Sequence, residues 1–221
     1  PSGRRVTSAR GPADFKDIRI KVKSPTLWDT EKPYLYTLRT TVVRGTAKLD
    51  SEDTPIGIRT AEWKPDGFYL NGKRLQIKGV CNHHDLGAIG AAFNTRAAER
   101  QIEILKDMGC NSIRTSHNPP APQLLDLCDH MGVVVLDELF DAWKMAKKPN
   151  DYHLHFDKWH ERDVANFIRR DRNHPCVIAW STGNEIPEQG NKSMHWVSTK
   201  PSSEIRKHDS TRQITAGCNN L

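Results

Sequence analysis

The chain has 221 residues, of which 36% are hydrophobic, and its 33 basic and 27 acidic residues give a formal net charge of +6 at pH 7. No apolar run approaches the roughly 18 residues of a membrane-spanning helix. Charges of both signs are interleaved, which is typical of a solvated surface and argues against a nucleic-acid-binding protein. We therefore predict a globular protein that binds neither nucleic acid nor membrane. The sequence assigns no cellular compartment, because any signal peptide would precede residue 1.

The first part of the chain has the pattern of short antiparallel strands. Residues 18–23 alternate as IRIKVK, and residues 34–43 are rich in Tyr, Leu, Thr and Val. Asn71-Gly72, between FYL and LQI, predicts a β-hairpin within residues 68–80. The sequence pattern changes near residue 65, from short alternating runs to apolar strands that alternate with helical patterns. We therefore predict part of a β-sandwich over residues 1–64 and a second domain over residues 65–221.

Apolar strands and helical patterns alternate after the hairpin, which is the arrangement of βαβ units around a parallel sheet. Strands are predicted at residues 75–80, 112–115, 133–136, 177–180 and 213–216. One helix is predicted from Thr95, as its N-cap, to Gly109, and a second from Pro122 to Gly132. A third ends before Asn173-His174-Pro175, and a weaker one covers residues 194–207.

The polar residues that follow the first four of these strands favour a barrel over the alternative of an open five-stranded sheet. A (β/α)8 barrel assembles its active site just past the carboxyl ends of its strands. The residues at these ends are Asn82, His83, His84 and Asp85, then Arg114, Ser116, His117 and Asn118, then Asp137 and Glu138, and last Asn184 and Glu185. A complete barrel needs roughly 250 residues. Residues 65–221 are therefore predicted to be the N-terminal part of a truncated (β/α)8 barrel.

Glu185 comes a few residues after the apolar run CVIAW, where a buried strand is predicted. A glutamate at this point can cap the following helix, or it can be a catalytic acid at the rim of the sheet. Asn184 precedes it, and Trp180 is predicted to be an apolar wall that favours the protonated form of a carboxyl group. We therefore predict that Glu185 is catalytic, and that Glu188 on the outgoing loop faces solvent.

The histidines at the predicted barrel mouth can bind a metal ion or recognise hydroxyl groups. His83, His84 and His117 form no HxxxH or HExxH pattern, and the five cysteines form no CxxC pair. Imidazole and carboxylate groups together can donate to and accept from the hydroxyls of a sugar. GxSxG, Walker and Rossmann patterns are absent. The sequence therefore predicts hydroxyl recognition, with no metal and no cofactor.

Three further charged residues have roles that the pattern leaves open. Arg114 is predicted to brace Glu185 through a charged hydrogen bond rather than to contact substrate. Asp137 and Glu138 can either brace the barrel mouth or bind substrate, and the sequence does not separate these two roles.

Several long stretches resemble glycoside hydrolase family 2, the family of β-galactosidases, β-glucuronidases and β-mannosidases. They are LWDTEKPYLYTL, GIRTAEW, FYLNGKRLQIKGVCNHHD, GCNSIRTSHNPP, VVVLDELFDAW and RDRNHPCVIAWSTGNE. The resemblance implies the tail of an immunoglobulin-like sandwich joined to a catalytic barrel. It also implies that Glu185 is the acid/base, that Asn184 contacts the sugar 2-hydroxyl, and that His83, Asp85 and His117 lie in the sugar subsite.

The resemblance further predicts hydrolysis of terminal β-glycosidic bonds with retention, most simply by a β-galactosidase acting on a β-linked oligosaccharide or polysaccharide-derived glycoside. β-Glucuronidase and β-mannosidase are the alternatives within the family, and a non-catalytic carbohydrate-binding relic is the alternative outside it. Multi-domain β-galactosidases of the family carry a histidine soon after the acidic pair and bind magnesium nearby, whereas this chain reads DELFDAWKMAKK. The nucleophilic glutamate of the family comes from a late barrel strand, so it is predicted to be missing from this chain. Homo-oligomerisation of the full-length protein is left open.

Overall fold

The computed structural model describes residues 3–15 and 17–218, and the N-terminal part of this range holds one antiparallel pair, β1 (Tyr36–Arg44) and β2 (Ala47–Ile56). The strand predicted at residues 34–43 is confirmed as β1. The strand predicted at residues 18–23 is wrong, because this segment has no strand conformation and pairs with neither β1 nor β2. Alternation of apolar and polar residues produces a strand only where another strand supplies hydrogen-bonding partners.

A three-stranded antiparallel sheet at the junction consists of β3 (Ala61–Lys64), β4 (Gly67–Leu70) and β5 (Lys73–Leu75). Asn71 and Gly72 connect β4 to β5 with φ angles of 53° and 76°. A two-residue turn of this hand needs positive φ at both positions, which Asn and Gly tolerate best. The predicted hairpin is therefore confirmed.

The larger part of the chain forms a parallel five-stranded sheet. Its strands are β6 (Gly79–His83), β7 (Ser112–Ser116), β8 (Val134–Glu138), β9 (Val177–Asn184) and β10 (Gln213–Gly217), and they lie side by side in sequence order. Helices α1 (Thr95–Asp107), α2 (Pro122–Met131), α3 (His153–Asp171) and α4 (His195–His208) lie in the successive connections. This is a portion of a (β/α)8 barrel that follows a partial β-sandwich, and the predicted fold class is confirmed.

Local signals set most of the element ends. Pro122 begins α2, and Gly132 ends it with a φ of 72°, as predicted. The N-cap of α1 is Asn94 rather than Thr95, because the Asn94 side chain accepts the N–H of Ala97. The first barrel strand begins at Gly79 rather than at residue 75, since Leu75 completes the hairpin opposite Phe68.

The segments just before β1 and just after β2 are fixed against the amino ends of the barrel strands. Trp28 is fully buried, and its Nε1 donates to the carbonyl of Asp129 at 2.8 Å. The Arg59 side chain donates to the carbonyls of Pro175 and Val177 at 2.5 and 2.6 Å. Burial lowers the pKa of Arg59 to about 10. These contacts leave the carboxyl ends of the strands open. No helix of the described residues is long and apolar enough to cross a membrane.

Candidate active site

Glu138, the last residue of β8, is the centre of a buried hydrogen-bond network at the carboxyl end of the sheet. Its side chain is 0% exposed and accepts from Arg114 Nε at 2.9 Å, Ser181 Oγ at 2.5 Å and His117 Nδ1 at 2.7 Å. Neighbouring parallel strands bring these residues together, since Glu138 pairs in register with Ser181 of β9. We call these four residues the Glu138 network. Both carboxylate oxygens of Glu138 are therefore occupied by donors from the protein.

Arg114 connects the Glu138 network to Asn184. Its Nη2 lies 2.8 Å from Glu138 Oε2 and donates to Asn184 Oδ1 at 2.9 Å. Burial lowers the pKa of Arg114, but the hydrogen bond and the charge of Glu138 outweigh burial and raise this pKa above its ordinary value. Gly217 makes room for the guanidinium, because a Cβ there would lie 2.6 Å from Arg114 Nη2. Arg114 therefore braces Asn184, and not Glu185 as the sequence predicted.

Glu185 follows the end of β9 in an unusual backbone conformation. Its φ is 48°, a left-handed value that a residue with a Cβ rarely adopts. Its N–H donates to the carbonyl of Gly217 at 2.8 Å, its side chain is exposed, and its carboxylate accepts no hydrogen bond from the described residues. The next short helical turn takes Ile186 as its N-cap. Glu185 is therefore not a helix cap, and its carboxylate is available to a ligand.

The histidines are divided between the site and a neighbouring loop. His83 ends β6, and its ring meets that of His117 edge to face with centroids 5.1 Å apart. The Nε2 of His84 lies 3.1 Å from the Ala91 carbonyl, and its ring stacks on that of Phe93. Asp85 is exposed and accepts the N–H of Gly87 at 2.6 Å in the turn after β6. The structure thus brings His83 and His117 together and places Asp85 just beyond them.

Asp137 lies on the helix-covered face of the sheet. It is 0% exposed, and burial together with the charge of Asp171 raises its pKa well above the ordinary value. Thr115 Oγ1 donates to its Oδ1 at 3.3 Å, and its Oδ2 has no hydrogen-bond partner among the described residues. Because successive residues of a strand point to opposite faces, Asp137 and Glu138 cannot share one site. This placement does not support substrate contact by Asp137.

Trp180 lies on the same helix-covered face, on β9. Its ring packs edge to face on Phe167 of α3 at 5.3 Å, and its Nε1 donates to Asp209 Oδ2 at 2.9 Å. It is a core residue with 0% exposure. This position differs from the predicted apolar wall beside Glu185, and the reason is again the alternation of side chains along a strand.

Glu188 was predicted to face solvent, and that prediction is wrong. The residue is 0% exposed, and its Oε1 accepts the N–H groups of Lys144 and Met145 at 2.7 and 2.6 Å. It therefore fixes the connection between β8 and α3 against the segment that follows β9. Nothing in the sequence near Glu188 signals this contact, since its partners are 44 and 43 residues away.

Sequence reasoning also missed two residues of the β8–α3 connection that contact Asn184. Lys147 Nζ donates to the Asn184 carbonyl at 2.6 Å and to Asp141 Oδ1 at 2.8 Å. Asn184 Nδ2 donates to the same Asp141 oxygen at 3.3 Å. Ser181 was missed as well, although its position one residue after Trp180 places it on the face of Glu138 by simple alternation.

A divalent metal ion does not fit the donor set around Glu138. Both of its carboxylate oxygens already accept hydrogen bonds, and the Arg114 cation lies 2.8 Å from one of them. Phe140, two residues after Glu138, stacks on Tyr152 with ring centroids 4.3 Å apart, and its apolar ring offers no ligand atom to a metal. The positive charge of Arg114 already neutralises Glu138, so a second cation would meet repulsion there.

A second group of possible ligands, Asp129, His174 and Cys176, lies at the opposite end of the barrel. Asp129 Oδ2 lies 2.6 Å from His174 Nδ1, and its Oδ1 accepts the N–H of Cys176 at 2.9 Å. Burial raises the pKa of the Cys176 thiol well above its ordinary value, which disfavours the thiolate that a metal requires. These contacts make the group a structural connection between α2 and β9.

Comparisons with known proteins agree with this architecture. The family model described as "Glycosyl hydrolases family 2, TIM barrel domain" matches residues 62–220, and the one described as "Glycosyl hydrolases family 2" matches residues 2–59. These two models together account for most of the chain. The chain belongs to glycosyl hydrolases family 2.

Among its relatives, the β-galactosidase BoGH2A of Bacteroides ovatus is 48% identical, over 98% of this chain and 30% of the relative. A putative β-glucuronidase of Formosa agariphila is 40% identical, over 92% of this chain and 19% of the relative. The crystal structure of a glycosyl hydrolase family 2 member from Bacteroides cellulosilyticus matches with a TM-score of 0.88 and 40% identity, over 91% of this chain and 26% of that one. The chain spans less than a third of the length of these three proteins.

Proposed function

We propose that this chain supplies the acid/base part of a retaining exo-β-glycosidase, with Glu185 as the acid/base. The observation that carries the proposal is the Asn184–Glu185 pair. Hydrogen bonds with Arg114, Lys147 and Asp141 fix Asn184, while the Glu185 carboxylate at the carboxyl edge of the barrel is exposed and has no described protein partner. A carboxyl group held on a rigid backbone but open to a ligand suits proton transfer to and from a substrate.

In the proposed reaction Glu185 first protonates the oxygen of the leaving group and later, as a carboxylate, removes a proton from the attacking water. Asn184 donates to the sugar 2-hydroxyl, and His83, His117 and Asp85 bind further hydroxyls. The Glu138 network holds His117 and Asn184 in place. In this arrangement Glu138 acts on the substrate only through these neighbours.

Retention requires a second carboxyl group about 5 Å from the first, to act as nucleophile. Neither acidic residue of β8 suits that role. Asp137 is buried on the opposite face, and Glu138 has both oxygens committed to hydrogen bonds. We propose that the nucleophile belongs to a longer protein and lies outside these 221 residues, so the chain by itself is inactive.

The proposed substrate is a terminal β-galactoside of a β-linked oligosaccharide or polysaccharide-derived glycoside. The similarity to the β-galactosidase of Bacteroides ovatus supports this choice. The similarity to a putative β-glucuronidase of Formosa agariphila keeps a β-glucuronide as the second candidate. No nucleic acid and no membrane takes part in the proposed reaction.

The test uses a full-length protein that contains this chain, assayed with β-galactosides, β-glucuronides and β-mannosides. Glu185→Gln should abolish turnover of substrates with basic leaving groups, while activated aryl glycosides keep a measurable glycosylation step, because protonation matters most for a basic leaving group. Glu161→Gln on the exposed face of α3 is the matched control and should behave like the wild type. Equal loss on both kinds of substrate would refute the acid/base role. Sugar binding without hydrolysis by the wild type would favour a carbohydrate-binding relic.

A further inference from the structure

The connection from β8 to α3, residues 139–152, folds back onto the end of β9. Lys147 Nζ bridges the Asn184 carbonyl at 2.6 Å and Asp141 Oδ1 at 2.8 Å. Asp141 in turn accepts from Asn184 Nδ2 at 3.3 Å. Asn184 is therefore bound by this connection through both its main chain and its side chain.

Lys147 is itself held in place. Its side chain is 20% exposed, and its backbone N–H donates to Asp151 Oδ2 at 2.8 Å. Burial raises the pKa of Asp151, but hydrogen bonds from the backbone N–H groups of His153, Lys148 and Lys147 and from the His153 ring outweigh burial and hold this pKa below the ordinary value. The ionised Asp151 thus orders the segment that presents the Lys147 ammonium to Asn184.

Lys147 binds the peptide group that orients Glu185. The carbonyl of Asn184 and the N–H of Glu185 belong to one planar peptide group. Lys147 binds the oxygen of that group, and the Gly217 carbonyl accepts from its N–H at 2.8 Å. Two contacts from opposite sides therefore fix the peptide plane.

Glu185 needs such support because its φ is 48°. A left-handed conformation of a residue with a Cβ is strained and persists only where the surroundings impose it. Without the Lys147 ammonium, the peptide group between Asn184 and Glu185 could rotate toward a relaxed conformation. The Glu185 carboxylate would then no longer point at the oxygen of the leaving group.

We propose that Lys147 is a positioning residue for the acid/base, acting through the peptide bond between Asn184 and Glu185, with Asp141 as its counter-ion. This inference rests on the proposed role of Glu185. It predicts that proton transfer, rather than sugar binding, suffers when Lys147 is changed.

The experiment compares Lys147→Met, Lys147→Arg and the matched control Lys148→Met in a full-length protein that contains this chain. Lys148 is the exposed neighbour of Lys147. Because misplacement of a catalytic group by 1 Å can cost about 100-fold, Lys147→Met should lower kcat/KM for substrates with basic leaving groups by about 10- to 100-fold. For activated aryl glycosides the loss should be several times smaller, KM should change little, and Lys147→Arg should recover part of the rate. Lys148→Met should match the wild type.

Equal losses on both kinds of substrate, or no loss, would overturn the inference while the Glu185→Gln result still stands for the proposed function. A wild-type protein that cleaves no β-glycoside would overturn both. If Lys147→Met does not fold, as judged by thermal unfolding, Asp141→Ala removes the second anchor of the ammonium and must show the same dependence on the leaving group.

Discussion

Replacing Glu138 by glutamine tests whether a buried charge organises the site. The amide keeps the volume of the carboxylate but turns one acceptor into a donor. Its oxygen can still accept from Arg114 and Ser181, while its NH2 group then points at His117 Nδ1. His117 has to adopt the other tautomer, so its Nε2 changes from acceptor to donor. The perturbation therefore changes both the stability of the barrel and the chemistry of the proposed sugar subsite.

The expected loss of stability follows from burial. Removing one partner of a buried ion pair costs about 3–5 kcal/mol. The Arg114 side chain is 22% exposed, and water can replace part of what Glu138 provides. We therefore expect Glu138→Gln to lower the free energy of unfolding by about 2–3 kcal/mol. This loss is similar to the cost of losing a hydrogen bond to a charged group and smaller than the cost of breaking a fully buried ion pair.

Thermal unfolding of the full-length protein measures this loss. For a domain of 150–250 residues, 1 kcal/mol corresponds to about 2–4 °C in Tm, so the barrel transition should fall by about 4–12 °C. Glu161→Gln, the same change on the exposed face of α3, should move it by less than about 2 °C. If the two variants shift Tm equally, the Glu138 network is not a buried charged network and the reasoning fails.

Asp85→Ala should lower kcat/KM for the galactoside by the equivalent of about 1.5–3 kcal/mol, since that is the usual worth of a hydrogen bond to a charged group; unchanged kinetics would place Asp85 outside the subsite. Burial lowers the pKa of His174, but the hydrogen bond and charge of Asp129 outweigh burial and raise this pKa above 6.5. The protonated His174 therefore contributes its full stabilisation below pH 6.5, and this stabilisation is lost as the pH rises through the raised pKa. Between pH 6.5 and the raised pKa the Tm of the wild type should fall, whereas the Tm of His174→Gln should not show this fall. The 221-residue chain, assayed alone with an activated β-galactoside, should show no turnover above a Glu185→Gln control, and turnover by the isolated chain would contradict an external nucleophile.

The sequence determined the elements whose signals are local. Asn71-Gly72 predicted the hairpin because few other residue pairs tolerate positive φ at both turn positions. Pro122 and Gly132 marked the ends of α2 for similar reasons of backbone geometry. The order of strands and helices predicted a parallel sheet, and the polar residues just past the strands favoured a barrel and predicted where its site would form. These features depend on residues a few positions apart, so the chain alone specifies them.

Only the tertiary structure decided which of the candidate residues share the site. The sequence placed Asp137 beside Glu138 and Trp180 near Glu185, but the pleat of the strands sends Asp137 and Trp180 to the helix-covered face. Lys147 reaches Asn184 across 37 positions of sequence, from a connection that has no periodic pattern. The IRIKVK segment has alternation and yet forms no strand, because no described strand pairs with it. Contacts between distant segments depend on how whole elements pack, and local pattern carries no information about that packing.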